Sequence, residues 1–370
     1  MSQVSVAQLE VPVGVEAPDL PRKPELSVIV PVHNGQHYLT ASLPALRASD
    51  LPPDRWELIV VDDSSSDGSA ELATRYADKV VALEHGPHGP AFARNRGADV
   101  ARGMIILFVD ADVCVHADCL GRVLEALEQQ PAISALFGAY DLQPTATGLV
   151  SQYRNLLHRY VHERDAGDSV TFWAGCGAVR SGVFVACGGF DETRGREALE
   201  DIDLGYRMAA LGYRIVIRPE IQGTHLKRWS IGSMMVTDVR QRGIPWMRLL
   251  LSRNVRSATL NIRTSEQLCT VLLLVGLVAL ATWLWTGKMG WLATAAGALV
   301  LILAINLPLL AWFARHRDWR FALSAVPLRL LYYALNVVSV GLALLPSRPS
   351  PKAPQSRSRK MMVASRGPTQ

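Results

Sequence analysis

The sequence predicts an α/β fold, a mainly parallel sheet wound with helices, followed by an apolar helical region. Three observations carry this expectation. Short β-branched runs alternate with helical stretches over residues 26–109. Three of those runs end in polar punctuation, at Pro31-Val-His-Asn34, at Asp62-Asp63 and at Asp110-Ala-Asp112. Beyond about residue 267 the chain is mostly apolar, with long charge-free runs.

Taken in order, Leu26 to Pro31 is a short run closed by proline and predicts the first strand, with a turn at Val32 to Gly35 and a helix from Tyr38 to Arg47. Glu57 to Val61 is the second strand. Its acidic turn runs to Gly68, where Asp67 or a neighbouring serine can cap the helix Ser69 to Tyr76. Lys79 to Leu83 gives a third strand, Gly86 to Gly89 a loop, about Ala91 to Ala101 a helix, and Met104 to Val109 a fourth strand. Crossovers of this kind are right-handed. The strand ends then open on one edge, where open α/β sheets bind ligands. Asp110 and Asp112 at such an end are hard oxygen donors suited to a divalent cation holding a diphosphate, although acidic turns after strands are also common.

Later segments say less. Asp118 to Gln129 has a helical pattern, and Ile133 to Ala139 predicts a strand. In Phe172 to Arg180, Gly175 and Gly177 let backbone approach closely, and Trp173 offers a flat face to a sugar or simply fills core. Glu200, Asp201 and Asp203 open a helix, where the dipole favours acids in any case. Tyr213 to Arg218 predicts a further strand, with His225 following it.

Charge divides the chain. Residues 1–226 hold 19 Lys+Arg against 30 Asp+Glu, whereas residues 227–263 hold eight basic residues and one acid, Asp238. A basic belt beside apolar spans predicts a surface lying on anionic lipid, at about 1 kcal/mol per residue. Nucleic acid is not an expected partner, because the basic residues flank the spans and not the acidic domain. Residues 229–266 are expected to be amphipathic helices at the membrane interface. Gln267 to Gly287 is charge-free and long enough to cross about 30 Å of hydrocarbon. Met289 to Ala314 is a second span after a tight link. Phe321 to Leu345, interrupted by Pro327 and Arg329, is a third that leaves two or three helices in residues 267–345. Residues 1–24, with four prolines, and the basic tail 346–370 are expected to be disordered. Five cysteines without Cys-x-x-Cys spacing suit free thiols.

The ordered motifs resemble the family 2 glycosyltransferases of the GT-A fold. They are Pro31-Val-His-Asn34, Val60-Val-Asp-Asp-Ser-Ser-Ser-Asp-Gly68, Gly89-Pro-Ala-Phe-Ala-Arg-Asn-Arg-Gly97 and Val109-Asp-Ala-Asp112, followed by Gly188-Gly-Phe-Asp-Glu192 and Leu199-Glu-Asp-Ile-Asp-Leu-Gly-Tyr-Arg207. The resemblance covers roughly residues 26–228 and implies a GT-A (Rossmann-like) catalytic domain over 25–228. It implies a nucleotide-sugar site of Pro31, Val32, Asn34, Asp62, Asp63, Arg94, Asp110 and Ala111. One of Asp62 and Asp63 would read the base, and Arg94 would lie near the phosphates. Asp112 would bind Mg²⁺ or Mn²⁺ with Asp110, and His225 is a candidate third ligand. Trp173 and Gly175, with Arg228 and Trp229, would line the donor sugar or acceptor.

By the same resemblance Asp201, with Glu200, is the general base of an inverting transfer to a hydroxyl. The donor would be a nucleoside diphosphate sugar, most simply a UDP-sugar, and the acceptor a lipid-linked glycan or envelope polysaccharide. The chain would sit in a bacterial-type inner or plasma membrane with its catalytic domain cytoplasmic. A polyprenyl-phosphate glycosyltransferase is the enzyme alternative, and an inactive sugar-binding scaffold the alternative of another class. Only partial agreement with the Gln-x-x-Arg-Trp motif, His225 standing at the Gln position, speaks against a processive synthase.

Overall fold

The computed structural model describes residues 23–194, 199–253 and 263–345. Most of the expected disordered lead-in, all of the tail from 346, and part of the interface segment (254–262) lie outside them. The chain divides into two compact units. The first takes residues up to 227 apart from 147–154 and 191–203, which group with 228 onward in the second. Glu200 and Asp201, placed by the sequence in one continuous 25–228 domain, therefore belong with the second unit.

In the first unit β1 (Leu26–Val32), β2 (Trp56–Asp63), β3 (Lys79–Leu83) and β4 (Ile105–Val109) pair in parallel. The sheet continues through β5 (Val113–Val115), β6 (Ile133–Tyr140), β7 (Gly167–Ser169), β8 (Cys176–Arg180) and β9 (Arg214–His225) in the order β3-β2-β1-β4-β8-β6-β9-β5, with β7 on β9. Strand β8 runs antiparallel to β4 and β6, β6 and β9 pair in parallel, and β5 and β7 run antiparallel to β9. The 172–180 segment, to which the sequence assigned no element, becomes strand from Cys176 because Val109↔Cys176 and Phe108↔Gly177 pair it to β4. A Cβ on Gly177 would stand 2.2 Å from the Trp173 carbonyl oxygen, so only glycine fits there.

Both faces of β1, β2 and β4 are covered, which is why these strands read as unbroken apolar runs, whereas the edge strand β3 stays partly exposed. Val28, Val30, Leu58, Val60, Leu107 and Val109 share a core with Leu39, Leu43 and Leu46 of α1 (Gln36–Arg47) and with Leu120, Val123 and Leu124 of α4 (Cys119–Gln129). On the other face Gly97 of α3 (Pro90–Val100) rides over Ile29, where a Cβ would meet Ile29 Cγ2 at 2.5 Å. Phe108 packs there on Phe184 and Phe190 at 5.4 and 5.0 Å. At the sheet's opposite edge from the strand C-termini, buried Glu57 accepts hydrogen bonds from Ser27 Oγ, the Arg102 backbone N–H and Arg102 Nε. The remaining helices of this unit are α2 (Ser69–Tyr76), α6 (Ser181–Ala186) and, from Leu204, α7 (Glu200–Ala210); α5 (Leu149–Arg164) enters it at Asn155.

In the second unit α8 (Ile231–Val236) starts on a reciprocal Ser230–Ser233 cap, a π-helical turn spans Thr237–Gly243, and α9 (Ile244–Arg253) follows. Three helices come next, α10 (Thr264–Thr286), α11 (Met289–His316) and α12 (Trp319–Ala343), each long and apolar enough to cross a membrane. Gly287, at φ 67°, ends α10 in the left-handed conformation, and Asp318 caps α12 by accepting the Phe321 N–H. Pro327 and Arg329 do not break α12. Arg329 instead turns inward, donating both contacts of its Nη2 to the Glu266 carboxylate at 2.6 Å and its Nε to Asn306 Oδ1 at 2.8 Å.

Candidate active site

The polar strand ends of β1 and β2 are laced together. Val32 pairs with Asp62, so the two acids lie within β2, not in the turn after it as the sequence suggested. Asn34, at φ 51°, donates its N–H to Ser65 Oγ and accepts the Ser66 N–H on its side chain. Asp67 has two duties: its Oδ1 accepts from Ser69, and its Oδ2 accepts the Gln36 N–H. The N-cap of α2 is Gly68, so Asp67 ties the starts of α1 and α2 rather than acting as the simple cap expected. Pro31 is half-buried and Val32 buried at the end of β1.

Successive strand residues point to opposite faces. Asp63 uses both oxygens to hold the next loop, accepting the His88 N–H at 2.9 Å and the Gly89 N–H at 2.7 Å. Asp62 accepts the Ser65 N–H on Oδ2, and its buried Oδ1 has no hydrogen-bond partner among the described residues.

At the end of β4, Asp110 accepts a 2.7 Å charge-assisted bond from Arg94 Nη2, and the Arg94 side chain is only 6% exposed. Phe190 lies under the guanidinium at 5.5 Å. The Asp110 N–H donates to Gly175 O, joining this strand end to the Trp173 turn. A Cβ on Gly175 would enter the Trp173 ring at 2.4 Å, so the indole is seated on glycine. Its other neighbours are Tyr140, His158 and His162, at 5.0, 4.6 and 5.3 Å. Trp173 is half-buried in this aromatic nest.

Ala111 carries the chain from Asp110 to Asp112, whose carbonyl accepts the Leu226 N–H and so aligns the ends of β4 and β9. His225 faces Asp112 with Nε2 at 3.4 Å from Oδ2. Its ring stacks on Tyr140 at 4.2 Å and 7°, and its Nδ1 is hydrogen-bonded to Asn155 Oδ1. Burial pushes the Asp112 carboxyl up, but the His225 hydrogen bond and the charges of His225 and Lys227 outweigh it and leave it below the usual carboxylate value. Burial and the Asp112 charge push the Tyr38 phenol up.

The expected triad of metal ligands is thus only partly assembled. Asp112 and His225 come together, whereas Asp110 is drawn to Arg94; among the described residues no group of three or more His, Cys, Asp and Glu side chains stands ready to hold a metal ion. The pair that does meet fits a divalent ion. When Nδ1–H donates to Asn155, Nε2 turns a lone pair toward a carboxylate, an arrangement that a proton or a cation between them must satisfy.

Asn95 and Arg207, quoted within motifs but given no role, fix the walls. Asn95 exchanges two 2.9 Å hydrogen bonds with the Phe190 backbone. Arg207 donates to the carbonyls of Cys187 and Gly189. Together they hold the Gly188-Gly189 turn, where φ is 76° and 67°. A Cβ on Gly205 would strike the Phe172 backbone nitrogen at 2.4 Å, so α7 lies directly against main chain there.

In the second unit, Glu200, Asp201 and Asp203 occupy the first turn of α7, with Glu200 and Asp203 buried and Asp201 half-buried. Arg228 is exposed. Trp229 is half-buried under the Arg154 guanidinium at 4.9 Å and exchanges hydrogen bonds with Ser151.

Residues 27–185 match the family model described as Glycosyl transferase family 2. This segment is a family 2 glycosyltransferase domain. The poly(ribitol-phosphate) beta-N-acetylglucosaminyltransferase TarS of Staphylococcus aureus is 36% identical over 100 residues, which are 26% of this chain and 18% of that protein. The validoxylamine A glucosyltransferase of Streptomyces hygroscopicus subsp. limoneus is 27% identical over 233 residues, 54% of this chain and 51% of its own. The chain therefore spans at most about half the length of these curated relatives. The mannosyltransferase PcManGT from Pyrobaculum calidifontis, solved in complex with GDP-Man and Mn²⁺, superposes with a TM-score of 0.53 at 20% identity, covering 87% of this chain and 89% of that one. That likeness gives the family 2 domain its GT-A fold.

Proposed function

We propose that the protein is a membrane-anchored, inverting glycosyltransferase. It moves a sugar from a nucleoside diphosphate sugar to a hydroxyl of a lipid-linked or envelope glycan. The observation that carries this reading is the row of charged groups along one sheet edge: Arg94 on Asp110, then Asp112 facing His225. That row supplies what a diphosphate donor needs, a buried cation and acidic metal ligands beside it.

In this reading the Asp62–Asp63 pair recognises the base, while Pro31, Val32 and Asn34 shape the nucleoside pocket. Arg94 binds the diphosphate. Asp112, His225 and Asp110 would hold Mg²⁺ or Mn²⁺, which when bound neutralises charge on the leaving diphosphate. Trp173, seated on Gly175, gives the sugar a face to stack on, and Arg228 with Trp229 serves the acceptor. Asp201, supported by Glu200, takes the acceptor proton. The complex of PcManGT with GDP-Man and Mn²⁺ and the acetylglucosaminyl transfer in the name of TarS support the donor class.

The three apolar helices span the plasma membrane and hold the domain on the cytoplasmic face, where nucleotide-sugars are made. A panel of nucleotide-sugars with Mn²⁺ or Mg²⁺, scored by thermal stabilisation, tests the proposal. The true donor at a hundred times its Kd adds about 2.7 kcal/mol, and a panel without any stabilisation would sink it.

A further inference from the structure

The second unit contains a cavity of about 360 Å³, and none of its described lining residues has a role in the proposed transfer. Trp246, Met247 and Leu250 of α9 form one wall, and Val271 of α10 stands opposite. Glu266, Gln267 and Asn336 make its polar end. A volume of this size, apolar walls and a few convergent polar groups are the marks of a ligand pocket.

Charge decides what it takes. Among the described residues lining it there is no Lys or Arg, and Glu266 is the one acid. The Glu266 carboxylate is already matched from behind by Arg329, itself 6% exposed and tied to Asn306. A phosphate head would meet this carboxylate without a cation of its own, at a high desolvation cost. A hydroxyl head would meet side-chain amides that both donate and accept. Val271 stands on α10 and Tyr332, Asn336 and Val340 on α12, helices apolar enough to cross a membrane. With those helices in a bilayer, the apolar end of the cavity meets hydrocarbon.

We propose that this cavity binds the chain of a membrane lipid whose head is uncharged and carries a hydroxyl. The proposal rests on the membrane reading of α10–α12 and is independent of the donor chemistry. The test uses the full chain in phosphatidylcholine nanodiscs, titrated with brominated monoacylglycerol and, in parallel, with brominated phosphatidylglycerol. Fluorescence quenching of Trp246 is isolated by difference from Trp246→Phe. Saturable quenching by the monoacylglycerol is expected. Its half-saturation should weaken about tenfold or more in Thr270→Phe, which fills the cavity, and in Asn336→Leu, which removes an amide without changing bulk much. Circular dichroism melts show that both variants fold. Equal quenching by the anionic lipid, or unsaturable quenching unchanged in both variants (annular lipid only), overturns the proposal alone. A chain that fails to enter the nanodisc overturns the membrane reading and the proposal with it.

Discussion

His225 points Nε2 at Asp112 across 3.4 Å because Asn155 holds the opposite ring nitrogen and Tyr140 lies flat beneath the ring. Asn155 is thus a positioning residue for the proposed metal site. Partners of this kind typically account for about 10–100-fold in metal affinity. Asn155→Leu should weaken Mn²⁺ binding by that factor in a calorimetric titration without nucleotide, and His225→Ala should weaken it at least as much. Unaltered Mn²⁺ affinity in both variants would remove His225 from the ligand set.

Asp201→Asn keeps the shape of the side chain and loses the base. Turnover should fall by about 10²–10⁴-fold, with nucleotide affinity measured at equilibrium nearly unchanged. Full turnover in this variant would move the proton chemistry elsewhere.

His162 gives the fold a pH dependence. Burial drives its imidazole down to about 4, against the pull of the Gly138 carbonyl on its Nδ1. Its ordinary value is about 6.5, so between these two values the unfolded chain binds the extra proton and stability rises with pH. The contribution, about 3 kcal/mol, is fully present above about pH 6.5 and is lost as the pH falls toward 4. Denaturation midpoints of the full chain should drop across this window, and His162→Phe should flatten the drop.

Arg329 and Glu266 form a buried ion pair with side chains 7% and 9% exposed. Removing one partner leaves the other charge stranded. Arg329→Met should cost about 3–5 kcal/mol, and pairing it with Glu266→Met should restore most of the loss. Melting temperatures in detergent complete this double-mutant cycle. Additive losses in the double variant would show that the two charges do not act as a pair.

Much of the first unit was legible in the sequence because its strands are local. β3 has the expected bounds, and β1, β2 and β4 differ by a few residues at their ends. Their apolar runs and polar ends are statements about neighbours in the chain. What sequence reasoning missed is held by distant partners. β8 is a strand because β4 lies beside it, and β9 runs on to His225 because β5 and β6 pair with its far half. Asn155 and Tyr140 carried no signal, since one is a helix amide and the other a strand aromatic until the fold brings them to His225. Glu57 read as an ordinary strand start, although its buried carboxylate closes the other end of the sheet. Arg329 looked like an interruption of a span only while Glu266 was read separately.

Arg94 and Asp110 hold one another before any donor arrives. Under the proposed donor role, an incoming diphosphate offers Arg94 a second anion, so its arrival is a counter-ion exchange and not the capture of a bare cation. The guanidinium left water when the chain folded, and the exchange does not repeat that cost. Asp110, released by it and 34% exposed, keeps a charge that a divalent ion can neutralise. Nucleotide and metal then raise each other's affinity by the same factor, because linkage between two binding events runs equally in both directions.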